Sequence, residues 1–279
     1  MTVIAMTREM ATRGSEVAAG LAEQLGLTII HHELVEHDIA KRTGMAGSEV
    51  HRLLEGEASL LARWTTDRRR LSRYTAQEIL ELAAKGNALI RGWGAPYLLR
   101  SVQHVVCVRI CAPMAFREKV LMDRLELRDA NLARREIERN DAAHNGTMQK
   151  LFGIDWADPA LYSIVLNTAR VPIRDCVDHI VRLSESPAFQ ETAQSRGELA
   201  DQLLLARVRS VMDKRFGATS RQHGFDAHVE GGKVTLTGAT TDEKLIVEVV
   251  RLLQGIEGVE RVESKISHIA FAPHGPSDP

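Results

Sequence analysis

The chain has 279 residues, which is enough for about two domains. Its hydrophobic fraction of 44% supplies conventional cores, and its charged fraction of 26% argues against intrinsic disorder. Lys and Arg total 36 and Asp and Glu total 37, so the net charge of −1 excludes the basic excess of a general nucleic-acid-binding protein. We therefore expect no nucleic-acid partner.

The sequence indicates a cytoplasmic protein. No segment approaches the roughly 20 apolar residues of a membrane span, and the apolar start is too short for a signal-peptide core. The three cysteines, Cys107, Cys111 and Cys176, are an odd number, and two of them bracket an apolar run. We expect buried thiols and neither a disulfide framework nor a zinc site.

Short apolar strands alternate with helices up to about Leu183. The predicted strands are 2–6, 27–30, 87–90, 105–110 and 162–166, and the predicted helices are 15–25, 33–42, 48–85, 114–150 and 173–183. This alternation predicts an α/β fold, in which a parallel sheet has helices on both faces.

A polar stretch, 184–195, separates this part from a segment of another kind. There the predicted order is a helix (199–215), two strands (227–230 and 233–237), a helix (241–253) and a strand (259–266). The sequence thus predicts an α/β domain over 1–183, a linker over 184–198, a small α+β domain over 199–268 and a flexible tail over 269–279.

The first strand, turn and helix occupy the place where P-loop proteins bind phosphate through backbone N–H groups. The P-loop pattern G-x-x-x-x-G-K-[ST], placed with Ser15 last, fails at three of its four fixed positions. Arg8 and Arg13 replace the glycines and Gly14 replaces the lysine. The motif alone therefore does not identify a P-loop.

Several stretches together resemble the cytidylate kinase-like family. They are Thr7-Arg8-Glu9, Gly14 with Glu16 and the helix after it, His32-Glu33-Leu34, residues 90–95, 109–113, 140–141, 152–153, 155–159 and 162–168. The resemblance covers about residues 1–183. It implies a P-loop kinase-like fold, a nucleotide ligand, ATP and Mg²⁺ as cofactors, and transfer of a phosphoryl group from ATP to a nucleoside monophosphate.

The family's Gly-Ser-Gly-Gly turn is Ala11-Thr12-Arg13-Gly14 here, so one glycine survives. Cβ atoms restrict the positive-φ conformations of a tight phosphate nest. Arg13 either replaces the missing lysine or blocks the site. The predicted phosphate-binding residues of the turn are Arg8, Arg13, Gly14, Ser15 and Glu16.

Further candidates for nucleotide binding are Arg91, Arg117, Arg124, Asp141 and Asn167. Arg8 and Arg91 each end a predicted buried strand, where open α/β sheets bind ligands. Arg117 and Arg124 lie where a lid would supply arginines, although interleaved acidic residues also fit a solvated helix face. We expect no metal at His31, His32 and His37, and the basic run 63–73 is most simply a solvated helix face.

The segment 199–268 resembles a BON domain in its α-β-β-α-β order and in its Gly-Lys-Val-Thr-Leu-Thr-Gly core (232–238). Turns are predicted at Gly232, Gly238 and Gly258. The resemblance implies a phospholipid, a small ligand or a protein as partner, and the balanced charge gives little support for electrostatic membrane adhesion. The sequence leaves homo-oligomerisation open.

Two functions remain at this stage. One is a cytidylate kinase-like nucleotide-binding protein that the BON domain regulates or localises. The other is a catalytically degenerate kinase fold that acts as a sensor or scaffold. The missing lysine and glycines favour the second function, whereas Arg8, Glu16, Arg91, Asp141 and Asn167 favour the first. We predict weak or absent kinase activity.

Overall fold

The computed structural model describes residues 1–31, 40, 41, 46, 48, 68–92, 94–217 and 224–269. Most of the predicted helix 33–42, His32 and His37, much of the basic run 63–73 and the tail beyond 269 lie outside the described residues. The chain divides into two compact units, Met1–Arg196 and Gly197–Pro279. Within the described residues, no helix is both long enough and apolar enough to cross a membrane.

The first unit is built on a five-stranded parallel sheet, so the predicted α/β fold is confirmed. Its strands lie in the order β2-β3-β1-β4-β5. They are β1 (Val3–Arg8), β2 (Thr28–Ile30), β3 (Ala88–Arg91), β4 (Val105–Cys111) and β5 (Ile164–Asn167). All five strands end at the same edge of the sheet, and β1 lies at its centre.

Helices cover both faces of this sheet. They are α1 (Gly14–Leu25), α2 (Arg68–Lys85), α3 (Ala95–Leu99), α4 (Met114–Leu125), α5 (Ala130–Phe152) and α6 (Ile173–Glu185). On one face, α1 and α6 pack with Ile4, Met6 and Val108 into a common core. The two helices approach closely, since a Cβ on Gly20 would lie 2.9 Å from Val177. On the other face, α3 contacts β1 and β4.

The region 114–150, predicted as one helical stretch, forms two helices. Glu126 ends α4 in the left-handed conformation, with φ 54°. Asp129 begins α5, because its carboxylate accepts a hydrogen bond from the N–H of Asn131. Asp129 is a residue type favoured at N-caps, but the many charged residues of 114–150 obscured the break between the two helices.

The segment 184–198, predicted as a linker, is largely ordered structure. A short 3-10 helix (Pro187–Phe189) follows α6, and helix α7 (Ala193–Phe216) begins inside the segment. Ser195 is fully buried, and its Oγ lies 2.9 Å from Nδ1 of the buried His104. This contact links the C-terminal end of the first unit to the loop before β4.

The second unit contains a three-stranded mixed sheet. Its elements are α7, β6 (Asp226–Glu230), β7 (Lys233–Thr240), α8 (Glu243–Gln254) and β8 (Arg261–His268). β7 pairs antiparallel with β6 and parallel with β8. The observed order is therefore α-β-β-α-β, with a core that includes Val208, Val234 and Leu253.

Two of the three glycine turns lie where the sequence predicts them. Gly232, with φ 76°, closes the β6–β7 hairpin, where its N–H and that of Gly231 donate to the carboxylate of Asp201. Gly258, with φ 93°, precedes β8. The turn predicted at Gly238 is wrong, because β7 continues through it to Thr240 and Gly238 pairs with Ile266.

Candidate functional site

The turn between β1 and α1 has the backbone of an anion-binding loop although it lacks glycine at its strained positions. Ala11 and Arg13 have φ 60° and 58°, in the left-handed region. Within the described part of the chain, no acceptor is bound by the amide N–H groups of Met10, Ala11 and Arg13 through Ser15. Met10 and Ala11 form a hydrogen-bonded turn. Successive unbonded N–H groups in such a turn form a nest that suits a phosphate.

Helix α1 adds to this positive potential. It begins at Gly14, directly after the turn, and its N-terminus has no side-chain cap. Unsatisfied N–H groups in the first turn of a helix carry a partial positive charge that favours anions. The turn and the helix therefore present donors to the same place at the carboxyl edge of the sheet.

Two predicted arginines meet at this edge. β1 and β3 are neighbours, and Arg91 pairs in register with Met6, two residues before Arg8. Side chains alternate along a strand, so Arg8 and Arg91 lie on the same face of the sheet. Both are half-buried, whereas Arg124, at the end of α4, is exposed.

Arg8, Arg91 and Arg124 form an arginine cluster in which like charges act on one another. Burial first, and then the positive charges of Arg91 and Arg124, lower the pKa of Arg8. Among the residues that the structure describes, none of the three guanidinium groups has a carboxylate partner. Like charges repel unless an anion is placed among them, so the cluster favours an anion.

Position 14 requires glycine because the Arg8 side chain packs directly against it. A Cβ on Gly14 would lie 2.9 Å from both Cβ and Cδ of Arg8 and 3.4 Å from Cβ of Ile110. The Arg8 stem thus fills the space of a side chain at position 14, where a P-loop has its lysine. In this turn, the cation comes from the end of the strand and not from the helix.

Arg13, predicted to contact phosphate, instead binds Glu16 of the next helical turn. Its Nε donates to Glu16 Oε1 at 2.8 Å, and its Nη2 donates to Oε2 at 2.5 Å. This hydrogen bonding raises the pKa of Arg13 and lowers the pKa of Glu16. Ser15 is exposed beside them. In this arrangement the Arg13 guanidinium is paired with Glu16.

A buried ion-pair network holds the turn between β1 and α1 in place. The Glu9 carboxylate accepts from Arg109 Nη2 at 2.7 Å and from the N–H of Ala112 at 3.2 Å. It also lies 3.5 Å from Nη1 of Arg117. Arg117 donates through Nε to the Met10 carbonyl at 2.7 Å.

Asp141 completes this network from α5. Its two carboxylate oxygens accept from Arg117 at 2.7 and 2.8 Å. The structure therefore brings the predicted residues Arg117 and Asp141 together, but as partners of each other. The network of Glu9, Arg109, Arg117 and Asp141 contains two positive and two negative charges, so it balances internally and positions the turn.

The end of β5 fastens the other side of the turn. Thr168 donates its hydroxyl to the carbonyl of Thr12 at 2.7 Å, and Thr12 donates its own hydroxyl to the carbonyl of Glu9 at 2.8 Å. The predicted residue Asn167 accepts from the N–H of Ala169 through Oδ1 at 3.0 Å. Asn167 thus stabilises the turn that follows β5.

The sequence did not single out the residues that hold the site. Glu9, Arg109, Thr12 and Thr168 carry the contacts to the turn, and their partners lie on other strands. The one local signal was Glu9, an acidic residue directly after a buried strand, where an unpaired carboxylate is costly.

The described residues fit a polyphosphate and do not fit Mg²⁺. N–H groups and guanidinium groups are ligands for phosphate oxygens, whereas Mg²⁺ requires carboxylate, hydroxyl or carbonyl oxygens. The nearby carboxylates Glu9, Glu16 and Asp141 are each bound by arginine.

A parallel sheet with a nest and a helix N-terminus at its carboxyl edge defines the class of α/β phosphate-binding folds to which P-loop kinases belong. The sequence profile of the "Cytidylate kinase-like family" matches residues 3–170, so the chain belongs to that family. A cytidylate kinase from Pyrobaculum aerophilum is 24% identical over 179 residues, which cover 63% of this chain and 89% of that protein.

Comparison with solved structures gives two matches of different strength. The crystal structure of an uncharacterized protein from Eubacterium ventriosum has a TM-score of 0.53 at 19% identity, and the match covers 66% of this chain and 98% of that one. A shikimate kinase from Bacteroides thetaiotaomicron has a TM-score of 0.40 at 14% identity, over 66% and 99%. The first of these matches indicates that the first unit shares its fold with that protein.

Proposed function

We propose that the first unit binds the phosphate groups of a nucleotide at the turn between β1 and α1. The observation that carries this proposal is the arginine cluster at the carboxyl edge of the sheet. Arg8 is partly desolvated beside Arg91, and neither has a carboxylate partner in the described part of the chain. Keeping uncompensated like charges together costs stability, and a bound phosphate removes that cost.

The free N–H groups of the turn support the same proposal. They lie at the end of β1, which is also the strand that carries Arg8. A phosphate held there accepts hydrogen bonds from the backbone and charge-assisted bonds from guanidinium groups. The membership in the cytidylate kinase-like family makes a nucleotide the natural source of that phosphate.

Calorimetric titration with ATP, ADP, CMP and UMP tests this proposal. Each charge-assisted contact is worth about 1.5–3 kcal/mol, so Arg8→Gln and Arg91→Gln should each weaken binding about tenfold or more. Arg182→Gln is the matched control. Arg182 is exposed near the end of α6, and that helix runs back towards the opposite edge of the sheet. Equal affinity in the wild type and in Arg8→Gln/Arg91→Gln would exclude this site.

We propose slow phosphoryl transfer at this site. Transfer needs cations that neutralise the charge of the moving phosphoryl group, and Gly14 stands where a P-loop has its lysine. Loss of one such cation removes several kcal/mol of transition-state stabilisation, about a thousandfold in rate. The assay is ATP-dependent phosphorylation of CMP, dCMP and UMP. A turnover near 1 s⁻¹, ordinary for kinases, would mean that arginines perform the lysine's role.

A non-catalytic sensor or scaffold is the second candidate. The observation that favours it is the ion pair between Arg13 and Glu16 beside the phosphate turn, in which the two side chains bind each other. A sensor predicts tight nucleotide binding with no product after prolonged incubation. Product formed in a single turnover, with enzyme in excess over ATP, would exclude a purely non-catalytic role.

For the second unit we propose a BON-like ligand-binding or tethering role. The proposal rests on the α-β-β-α-β order and on the glycine turns at Gly232 and Gly258. Because basic and acidic residues are balanced in this segment, binding to a phospholipid surface should not depend on anionic headgroups. Flotation of the full-length protein with neutral and with anionic vesicles tests this. Binding to anionic vesicles alone would contradict it.

A further inference from the structure

Among the described residues, the carboxylates next to the phosphate turn are each bound by an arginine. Glu16 is bound through both oxygens by Arg13, and Asp141 is bound through both oxygens by Arg117. Glu9 accepts from Arg109 and from a backbone N–H. A Mg²⁺ ion on Glu9 or Asp141 would have to displace Arg109 or Arg117 and would leave a buried guanidinium group without a counter-charge.

The strand ends beside β1 also lack an acidic residue. β3 ends at Arg91 and β4 ends at Cys111. In P-loop proteins, Mg²⁺ is held by a hydroxyl of the loop and by a carboxylate at a strand end. Here Ser15 retains the loop hydroxyl, but the strand ends carry Arg91 and Cys111 in place of a carboxylate. Burial raises the pKa of the Cys111 thiol. A neutral thiol is a poor ligand for a hard cation.

The cations already present at the site take the place of the metal. Arg8, Arg91 and Arg124 are close enough for the charges of the latter two to act on Arg8. The partial positive charge of the α1 N-terminus adds to theirs. Guanidinium groups bind phosphate oxygens in pairs and need no dehydration comparable to that of Mg²⁺.

We infer that this site selects the metal-free nucleoside polyphosphate, with the arginine cluster neutralising the phosphates in place of Mg²⁺. The inference rests on the proposed nucleotide binding and adds the chemical form of the ligand. Coordination by Mg²⁺ lowers the negative charge of the polyphosphate and occupies the oxygens that the arginines would bind. The Mg²⁺ complex is therefore the weaker ligand, the opposite of what the family's expected chemistry requires.

The test is calorimetric titration of the full-length protein with ATP, in excess EDTA and in excess MgCl₂ at matched ionic strength. Because surface electrostatics depends on salt, the match is essential. We expect binding at least about tenfold tighter in EDTA, which corresponds to about 1.4 kcal/mol. Inorganic tripolyphosphate should show the same preference, since the arginines contact phosphate and not the base.

Substitutions in the cluster make the test specific. Arg91→Gln removes one cation and should shrink the preference for metal-free ATP several-fold, and Arg91→Asp places a carboxylate at the strand end and should reverse it. Arg182→Gln should keep the wild-type preference. Circular dichroism confirms that each variant is folded.

The outcomes separate the inference from the proposed function. ATP that binds only with Mg²⁺, or equally well in both buffers, overturns the inference while nucleotide binding stands. ATP that binds in neither buffer overturns nucleotide binding and the inference together. A preference for metal-free ATP that Arg91→Asp leaves unchanged would place the polyphosphate away from the arginine cluster and also overturn the inference.

Discussion

Substitution of Glu9 should destabilise the first unit more than any surface change, because Glu9 is the shared counter-charge of two buried arginines. Its side chain is 16% exposed, and those of Arg109 and Arg117 are each 5% exposed. In Glu9→Gln, two positive charges face the one remaining carboxylate, that of Asp141. Removing one partner of a buried ion pair costs about 3–5 kcal/mol.

We expect a loss of about 3 kcal/mol in the free energy of unfolding, the lower end of that range. Glutamine keeps one oxygen that can accept from Arg109 or from the N–H of Ala112. Asp141→Asn should cost less, about 1–2 kcal/mol, because Asp141 is 28% exposed and Arg117 retains its bond to the Met10 carbonyl.

Urea denaturation followed by tryptophan fluorescence measures these changes in the first unit. All three tryptophans of the chain precede residue 197, where the second unit begins. Glu136→Gln is the control, since its ion pair with Arg139 is exposed and should change stability by less than about 0.5 kcal/mol. A cost below about 1 kcal/mol for Glu9→Gln, or a larger cost for Glu136→Gln, would refute the assigned role of the network.

Three further predictions concern the packing and the backbone of the first unit. Gly14→Ala should lower the free energy of unfolding by about 1–3 kcal/mol, because the new Cβ meets the Arg8 stem. Gly146→Ala, in an open helical position, should be neutral or stabilise by up to about 1 kcal/mol. Equal effects of the two substitutions in urea titrations would contradict this. Arg13→Gly should be about 1 kcal/mol more stable than Arg13→Ala, because both lose the ion pair but only glycine relieves the positive φ of 58°. Burial raises the pKa of Cys107 to about 12 from 9.0, so alkylation of native protein at pH 8 should be roughly a thousandfold slower than in urea, as mass spectrometry can measure. The folded thiol has the higher pKa, so its contribution to stability is present below pH 9 and decreases above it.

The parallel sheet could be predicted because its strands are continuous apolar runs. Residues 105–110 are apolar on both faces apart from Arg109, and β4 is buried on both faces as a central strand requires. Parallel strands also end at one edge, so the placement of Arg8 and Arg91 followed from their positions in the sequence alone.

The partners of the candidate residues could not be predicted, because they depend on contacts between distant segments. Arg117 and Asp141 are 24 residues apart and meet only because α4 and α5 pack together. Before that packing is known, an arginine in a charged helix is equally consistent with a lid and with a solvated face. Gly238 shows the same limitation in the second unit. A glycine in a strand pattern suggests a break, but β7 continues through Gly238 because it pairs there with β8.

The positive φ angles of the turn also contradict a local rule. The absence of glycine at positions 11 and 13 predicts a turn that avoids the left-handed region, yet Ala11 and Arg13 both adopt it. A left-handed conformation in a residue with Cβ costs about 1 kcal/mol or more. The surrounding contacts impose it: Thr168 holds the Thr12 carbonyl, and Arg117 holds that of Met10. The nest therefore depends on tertiary contacts that glycine would make unnecessary.

A P-loop has a lysine at the start of its helix, whereas this chain has Gly14 there and an arginine, Arg8, at the end of β1. This difference has a consequence for function. The Arg8 stem packs on Gly14 and leaves no room for a side chain there, so the two cations exclude each other. A half-buried guanidinium at the end of a central strand has little freedom to follow a phosphoryl group as it moves. Interactions that are equal in the ground state and the transition state improve binding without accelerating the reaction. For the polyphosphate that we propose as the ligand, this geometry favours retention over transfer.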